Sequence, residues 1–402
     1  PPRKAHLPPA AKVPAPSWED YLNDPHHRIS DEFTIPEDLR KRVQFWFTIY
    51  STYTKAHHVI HHTRYPWIVY KVVNTKAIMD RSKGHYWTRY HRSRREVRQQ
   101  IRAIRRSLHR LAKRRNYRNL KGLDKELYDK LEGLPGSRRK VFRLAARSVR
   151  SQLGQKDFMI SGLTNSRKYM PYLQKTFQNE GLPIELARIP FVESSFNEKA
   201  RSKVGASGVW QIMPRTGRGY DLIVGRYIDE RNSPIKATRA AARLLKRYKK
   251  SMKAWPLAVT SYNHGIGNMR KAIRITKTRD LGKIIDRYHG GAFKFASSNF
   301  YASFLAALYV ESYHREIFPG ENFDSKKYKE HESLHLTKRL RPKKIAQLAE
   351  LDIKVFKEHN LDLRTAIRKN IRLPKGFEVH LPQGHKEIFE KNFQNGTRVS
   401  KR

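Results

Sequence analysis

With 402 residues, the chain can bury at least one full hydrophobic core and has the length of two or three domains. Its 84 Lys and Arg against 36 Asp and Glu leave a net charge of +48, which favours polyanionic surroundings: nucleic acid, anionic membrane or acidic wall polymer. A hydrophobic content of 38%, with 20 Tyr and 18 Phe, excludes a disordered polycation; the lack of cysteine excludes disulfides and thiolate metal sites within this sequence.

Residues 1–32 open with Pro1, Pro2, Pro8, Pro9, Pro14 and Pro16 and predict an extended tether. A basic, mostly helical region is expected over 33–155. In it Leu39, Val43, Trp46, Phe47 and Tyr50 recur at helical spacing, and the Val- and Ile-rich stretch from His57 to Val73, broken at Tyr65-Pro66, predicts a pair of strands. His57, His58, His61 and His62 form two i, i+4 pairs that would suit a metal on a helix, but a strand separates them and no metal site is expected. Between Arg81 and Arg150 there are 24 Lys or Arg and five acidic residues, while Val97, Ile101, Ile104, Leu108 and Leu111 mark an apolar helical face. That helix is packed on something, and its other face is either simply solvated or binds anions. Tyr86, Trp87 and Tyr90 cluster at its start, where anchoring in a core competes with stacking on a ligand.

Residues 156–320 show helical periodicity throughout, and Ser233-Pro234 reads as an N-cap followed by proline at the first helical position. The span 330–385 predicts two short helices within Ile345–His359, flanked by strands at Ser333–Thr337 and Glu378–Leu381. Residues 386–402 read as a basic tail. No run of about 18 apolar residues predicts a transmembrane helix.

Chemistry concentrates in the 156–320 segment. Leu182, Leu186, Ile189 and Phe196 share one helical stripe with Glu193, and Pro190 is expected to kink that helix just before the carboxylate. A carboxylate on a core-facing stripe should have a raised pKa, as a general acid near neutral pH requires. On the stripe alone, a buried Glu paired with an arginine explains the pattern equally well. Downstream, Gly205-Ala206-Ser207-Gly208-Val209-Trp210-Gln211-Ile212-Met213-Pro214 places an amide and a thioether in a glycine-flexible segment, suited to hydrogen bonding a sugar and lining a ring face. Ser261-Tyr262-Asn263-His264-Gly265-Ile266-Gly267 adds a phenol beside an amide.

These motifs occur in order: Leu182-Pro183-x-Glu185-Leu186, Pro190-x-x-Glu193-Ser194-x-Phe196, Gly205-Ala206-x-Gly208-x-Trp210-Gln211-x-Met213-Pro214-x-Thr216-Gly217, and Tyr262-Asn263-x-Gly265-x-Gly267. Together they resemble the soluble lytic transglycosylases, glycoside hydrolase family 23. Asp229-Glu230-Arg231 and Ala237-Thr238-Arg239-Ala240-Ala241 give them the flavour of the membrane-bound transglycosylase D branch. The resemblance implies a mainly α chain with a lysozyme-like helical catalytic domain. It implies Glu193 as the single acid/base, with Ser202, Gln211 and Met213 in the groove. Tyr262 would hydrogen-bond the catalytic carboxyl, and Asn263 would be its structural neighbour. Such a domain cleaves peptidoglycan between N-acetylmuramic acid and N-acetylglucosamine, closing the sugar's own 6-hydroxyl onto C1 without a cofactor. One departure is the stretch Ala296-Ser297-Ser298-Asn299-Phe300-Tyr301, where relatives carry a further Glu; Ser298 or Asn299 would stand in for it.

The C-terminal span, with Pro342-x-x-Ile345-Ala346-x-Leu348-Ala349 and Leu373-Pro374-x-Gly376, resembles a divergent LysM module, a small α+β unit that either binds glycan or merely packs. An exported protein of the periplasm or cell envelope follows from the resemblance, its signal peptide removed before Pro1. The expected partner is the glycan strand, with electrostatic contact to anionic wall or membrane, no nucleic acid, and a monomeric state. Two other functions use the same residues: a muramidase in which water intercepts the intermediate, and a non-catalytic polyanion binder on a borrowed scaffold.

Overall fold

The computed structural model describes residues 18–399; residues 1–17 and 400–402 lie outside it, as do the side chains of residues 18, 19, 86, 87 and 396–399. The described chain is mainly helical, with five short strands in two small sheets.

The helix Phe295–Ser312 is buried at fourteen of its 18 positions, so other elements must surround it. One of them is Arg40–Ser51. Val43, Phe45, Trp46, Phe47, Ile49 and Tyr50 are all buried there, too wide an apolar arc for a surface helix, and it lies along Phe295–Ser312. The largest core cluster therefore joins Tyr21–Val59 to Met159–Phe323. Packing thus crosses the boundary expected near residue 155, because the first buried helix completes the core of the segment that carries the motifs. Of the tether expected over 1–32, residues 1–17 lie outside the described residues, and the rest is no tether: Trp18–Leu22 is helical, and Tyr21, Leu22 and Ile29 are buried.

Between these two contributions sits a second cluster, built on strands β1 (His57–His62), β2 (Val69–Asn74) and β3 (Val149–Leu153). β1 is central and antiparallel to both neighbours, with His58 opposite Val73 and Leu153. The His-rich stretch is thus a strand, as expected, but one buried on both sides. Burial pushes His58, His61 and His62 down to about 4, so they are neutral core side chains at ordinary pH. Among the described residues no group of three or more His, Cys, Asp or Glu is placed to hold a metal. The basic helix spans Tyr86–Lys113 and buries Val97, Ile104, Leu108 and Leu111 against Arg138–Arg147, with its arginines outward except the half-buried Arg89; Tyr90 stacks on His58 at 5.5 Å.

The third cluster holds the C-terminal module. β4 (Glu332–His335) pairs antiparallel with β5 (Glu378–Leu381). Helices Pro342–Leu348 and Ile353–His359 lie between them in sequence, with an unforeseen third, Arg364–Lys369. Residues expected as a basic tail form the helix His385–Val399, whose Phe389 is buried in this cluster. An amphipathic stripe of Phe389 and Phe393 outweighs the local excess of charge.

Candidate active site

Glu193 owes its position to an abrupt chain path. Instead of one kinked helix, residues Ile184–Arg188 form a 3-10 turn and Ile189–Ser194 a short α-helix. Pro190 lies in the first turn of that helix, where its missing N–H costs nothing, so it starts the helix rather than bending it. The helix stops one residue past the carboxylate because Ser195 and Phe196 both adopt left-handed backbone, with φ of 50° and 53°. Such a pair is strained for non-glycine residues. It is held by the bond from Phe196 N to Pro190 O, and by Phe196 packed fully buried against Phe191 at 4.7 Å.

Leu186, Ile189 and Phe196 face the core as the stripe predicted, and Glu193 stands among them, partly open to solvent. Protein atoms displace enough water from the carboxyl to push it up to about 8, against an ordinary 4.5. Its place in the last helical turn, near the negative end of the backbone dipoles, acts in the same direction. Among the described residues no hydrogen bond or ion pair engages this carboxyl. The arginine-paired alternative is thereby removed. At neutral pH Glu193 is a protonated acid with its proton available to a ligand.

The glycine-containing segment is a braced loop. Ser194 Oγ donates to Val209 O at 2.8 Å, tying it to the Glu193 helix. Gly208 has φ of +76°, and a Cβ there would sit 1.9 Å from Arg231 O, so only glycine lets the two backbones meet. Arg231 is buried and forms two bonds with Asp229, at 2.9 and 2.8 Å. It also donates to Gly205 O at 2.7 Å and Ile212 O at 3.0 Å, closing the loop from below. Trp210 Nε1 donates to Thr238 Oγ1 at 2.8 Å, and Ser207 Oγ to Asn232 Oδ1 at 2.7 Å. The Asp229-Glu230-Arg231 triplet thus has a mechanical role that its sequence alone did not disclose.

The residues expected in a groove divide into loop formers and groups left exposed or with a free acceptor. Ser202 Oγ accepts from Ala206 N at 2.9 Å, which folds the loop. Gln211 has left-handed backbone and spends its amide nitrogen on Gly208 O, at 2.7 Å, and Ala200 O, at 3.2 Å. Its carbonyl oxygen is left for a ligand donor. Met213 is 40% exposed, leaving an apolar surface against which a ring can lie.

Tyr262 departs from expectation. Its phenol donates to Trp210 O at 2.7 Å, not to Glu193. The Glu193 carboxylate nevertheless lies close enough to raise the phenol further above its ordinary value, after burial as the larger cause. With its proton committed to Trp210, the phenol oxygen retains lone pairs for a donor. Asn263 is exposed and accepts from Ser297 Oγ at 3.0 Å, a link to the helix Phe295–Ser312.

Two further points were not legible. Tyr50, from the first buried helix, also feels the Glu193 charge, with burial and a bond to Ser303 the larger influences on its phenol. Nothing in a sequence separation of more than a hundred residues signals that meeting. Asn299, one of two candidates for the missing Glu, is buried and accepts from Arg42 Nη1 and Trp46 Nε1, both at 3.1 Å. It anchors the first buried helix; Ser298, half-buried, donates to Phe295 O at 3.3 Å.

With this geometry in place, residues 171–285 match the family model described as the transglycosylase SLT domain. The chain carries a transglycosylase SLT domain. The membrane-bound lytic murein transglycosylase D of Escherichia coli K12 is 36% identical over 135 residues, 33% of this chain and 29% of that protein. The membrane-bound lytic murein transglycosylase F of Aeromonas salmonicida is 27% identical over 137 residues, 31% of this chain and 26% of that protein. The chain thus spans less than a third of the length of these curated relatives. Among solved structures, the 70 kDa soluble lytic transglycosylase of Escherichia coli aligns over 39% of this chain and 25% of its own at 21% identity, with a TM-score of 0.30. The matched SLT segment contains Glu193, the braced loop and Tyr262, but not the first buried helix that supplies Tyr50.

Proposed function

We propose that the chain cleaves peptidoglycan glycan strands at the N-acetylmuramic acid–β-1,4–N-acetylglucosamine bond, leaving a 1,6-anhydro end. Glu193, protonated at neutral pH and unpaired, carries this reading. It gives its proton to the glycosidic oxygen, an oxocarbenium-like centre develops at C1, and the resulting carboxylate takes the proton of the 6-hydroxyl as that oxygen closes onto C1. A group with a pKa near 8 serves both steps at neutral pH. One carboxyl suffices, so the second carboxylate of ordinary glycosidases is not required.

Gln211 Oε1 and the Met213 thioether are proposed to orient the sugar ring, with Ser202 shaping the loop. Tyr262 is proposed to buttress the loop through Trp210 O and to offer its oxygen to the protonated acid. The unit 156–320, completed by the first buried helix, is the proposed catalytic body. The module over 330–385 is proposed as a LysM-like glycan-binding unit. Among the described residues no helix is long and apolar enough to cross a membrane; an exported protein of the periplasm or cell envelope is the proposed setting, where its substrate lies.

Mass spectrometry of digested sacculi tests the proposal. Anhydro-ended fragments that vanish with Glu193→Gln are expected. Reducing ends, heavier by one water, would instead mean a muramidase, and undiminished digestion by the variant would remove Glu193 from the chemistry.

A further inference from the structure

Among the described residues a charged cleft lies between the SLT domain and the C-terminal module, away from Glu193, with a volume of about 610 Å³. That is within the range of small-ligand sites, roughly 300–1,000 Å³. Seven cationic side chains line it against two carboxylates, with Tyr169 and Leu361 supplying apolar surface. The carboxylates are already used. Glu198 pairs with Lys168 and accepts from Tyr169 at 2.7 Å; burial pulls this carboxyl up, but those bonds prevail and hold it below its ordinary value. Glu358 pairs with Lys329 at 2.6 Å. Lys199, Lys354 and Lys357 form no ion pair among the described residues; Lys326 and Arg364 form none either, but Lys326 bonds Asn165 and Arg364 donates to Glu198 O at 3.4 Å and helps hold its carboxyl down. Lys199 and Glu198 come from the SLT side; Lys354, Lys357 and Arg364 come from the module.

A like-charged seam between two packed bodies is unfavourable unless an anion fills it. Its location indicates which anion. Glu198 follows Glu193 by five residues, so the two are at most about 18 Å apart along the chain. Ala200, immediately beyond, accepts from Gln211 Nε2. The cations without an ion pair are lysines with one exception, point charges spread over two walls that can meet several separate anionic groups of one ligand. On the proposed activity, the strand at Glu193 bears peptides with free carboxylates. We propose that this cleft binds those peptide carboxylates, holding the strand in the groove while clamping the module to the SLT domain.

Fluorescence anisotropy with a labelled free stem peptide, and with the same peptide carboxyl-amidated, tests this on the full chain. The wild type should bind the free peptide at least tenfold more tightly than the amidated one. Lys199→Gln/Lys354→Gln/Lys357→Gln should lose at least tenfold in affinity. A control of equal charge removal on the exposed basic helix, Arg98→Gln/Arg102→Gln/Arg106→Gln, should stay within twofold. Equal losses in the two triple variants, or equal binding of amidated peptide, would reduce the effect to net charge and overturn the inference. So would preference for inorganic polyphosphate over the peptide. Digestion of peptide-free glycan keeps the two proposals apart. Cleavage of peptide-free and intact strands at the same rate by wild type and cleft variant leaves the activity standing and refutes the peptide site; cleavage of neither by wild type refutes the activity itself.

Discussion

Replacing Glu193 by glutamine removes a proton donor and also a charge that the fold resists. The carboxyl sits at about 8 in the fold against an ordinary 4.5, so the folded chain holds a proton that the unfolded chain has released over that interval. Below pH 4.5 both states are protonated and the group costs nothing. As pH rises towards 8 the unfolded state is favoured by up to about 1.4 kcal/mol per pH unit, a ceiling near 5 kcal/mol. Partial exposure of the side chain screens the ionised form, and a cost of roughly 2–3 kcal/mol is the working figure. Glutamine is never ionised and escapes the cost. Urea unfolding of wild type and Glu193→Gln between pH 5 and 9 should therefore diverge, the variant gaining about 2–3 kcal/mol relative to wild type by pH 9 while losing at least a thousandfold in anhydro-end formation. The wild-type rate should fall as pH passes 8, when the acid is lost. A stability difference that is flat with pH would show that the carboxyl is already ionised in the fold, and the acid role would fall with it.

Gly208→Ala forces a Cβ onto Arg231 O and a left-handed φ onto alanine, so a loss of more than about 2 kcal/mol in thermal or urea unfolding is expected, with activity lost ahead of global unfolding. Tyr262→Phe removes the bond to Trp210 O and leaves that carbonyl unpaired; about 1–2 kcal/mol of stability and roughly tenfold in turnover should be lost, measured by melting and sacculus digestion. Lys236 bonds Glu230 and Asp362, each at 2.8 Å, and Glu378 O at 2.7 Å across the join between SLT domain and module. Lys236→Met strands two buried carboxylates. A loss of about 3–5 kcal/mol is expected, together with faster proteolysis near residues 320–331. An unchanged digestion pattern would mean that the join does not depend on this lysine.

The catalytic stripe was readable because it is local. Leu186, Ile189, Glu193 and Phe196 lie within eleven residues, so their apolar spacing showed in the sequence, although a 3-10 turn, a short helix and the left-handed backbone at Ser195 and Phe196, not one helix, gather them. Pro190 was misread because proline's effect depends on whether it begins or interrupts a helix, and that depended on the 3-10 turn before it. The His-rich strand was assigned from its β-branched neighbours, but its central place between β2 and β3 was not. Pairing with β3 joins residues nearly a hundred positions apart, and no short-range pattern records such a partner.

Sequence alone determined the mainly helical class, the placing of a carboxylate on an apolar stripe, and the glycine-flexible character of the loop, since each follows from side-chain type and spacing along a single segment. Tertiary structure alone decided which partners those groups keep. It gave the Tyr262 proton to Trp210 and the Asn299 oxygen to Arg42, brought Tyr50 within reach of Glu193, and set Lys236 among carboxylates of two bodies. A hydrogen bond or desolvation depends on what lies within a few ångströms. Across this chain those neighbours come from segments that only packing brings together.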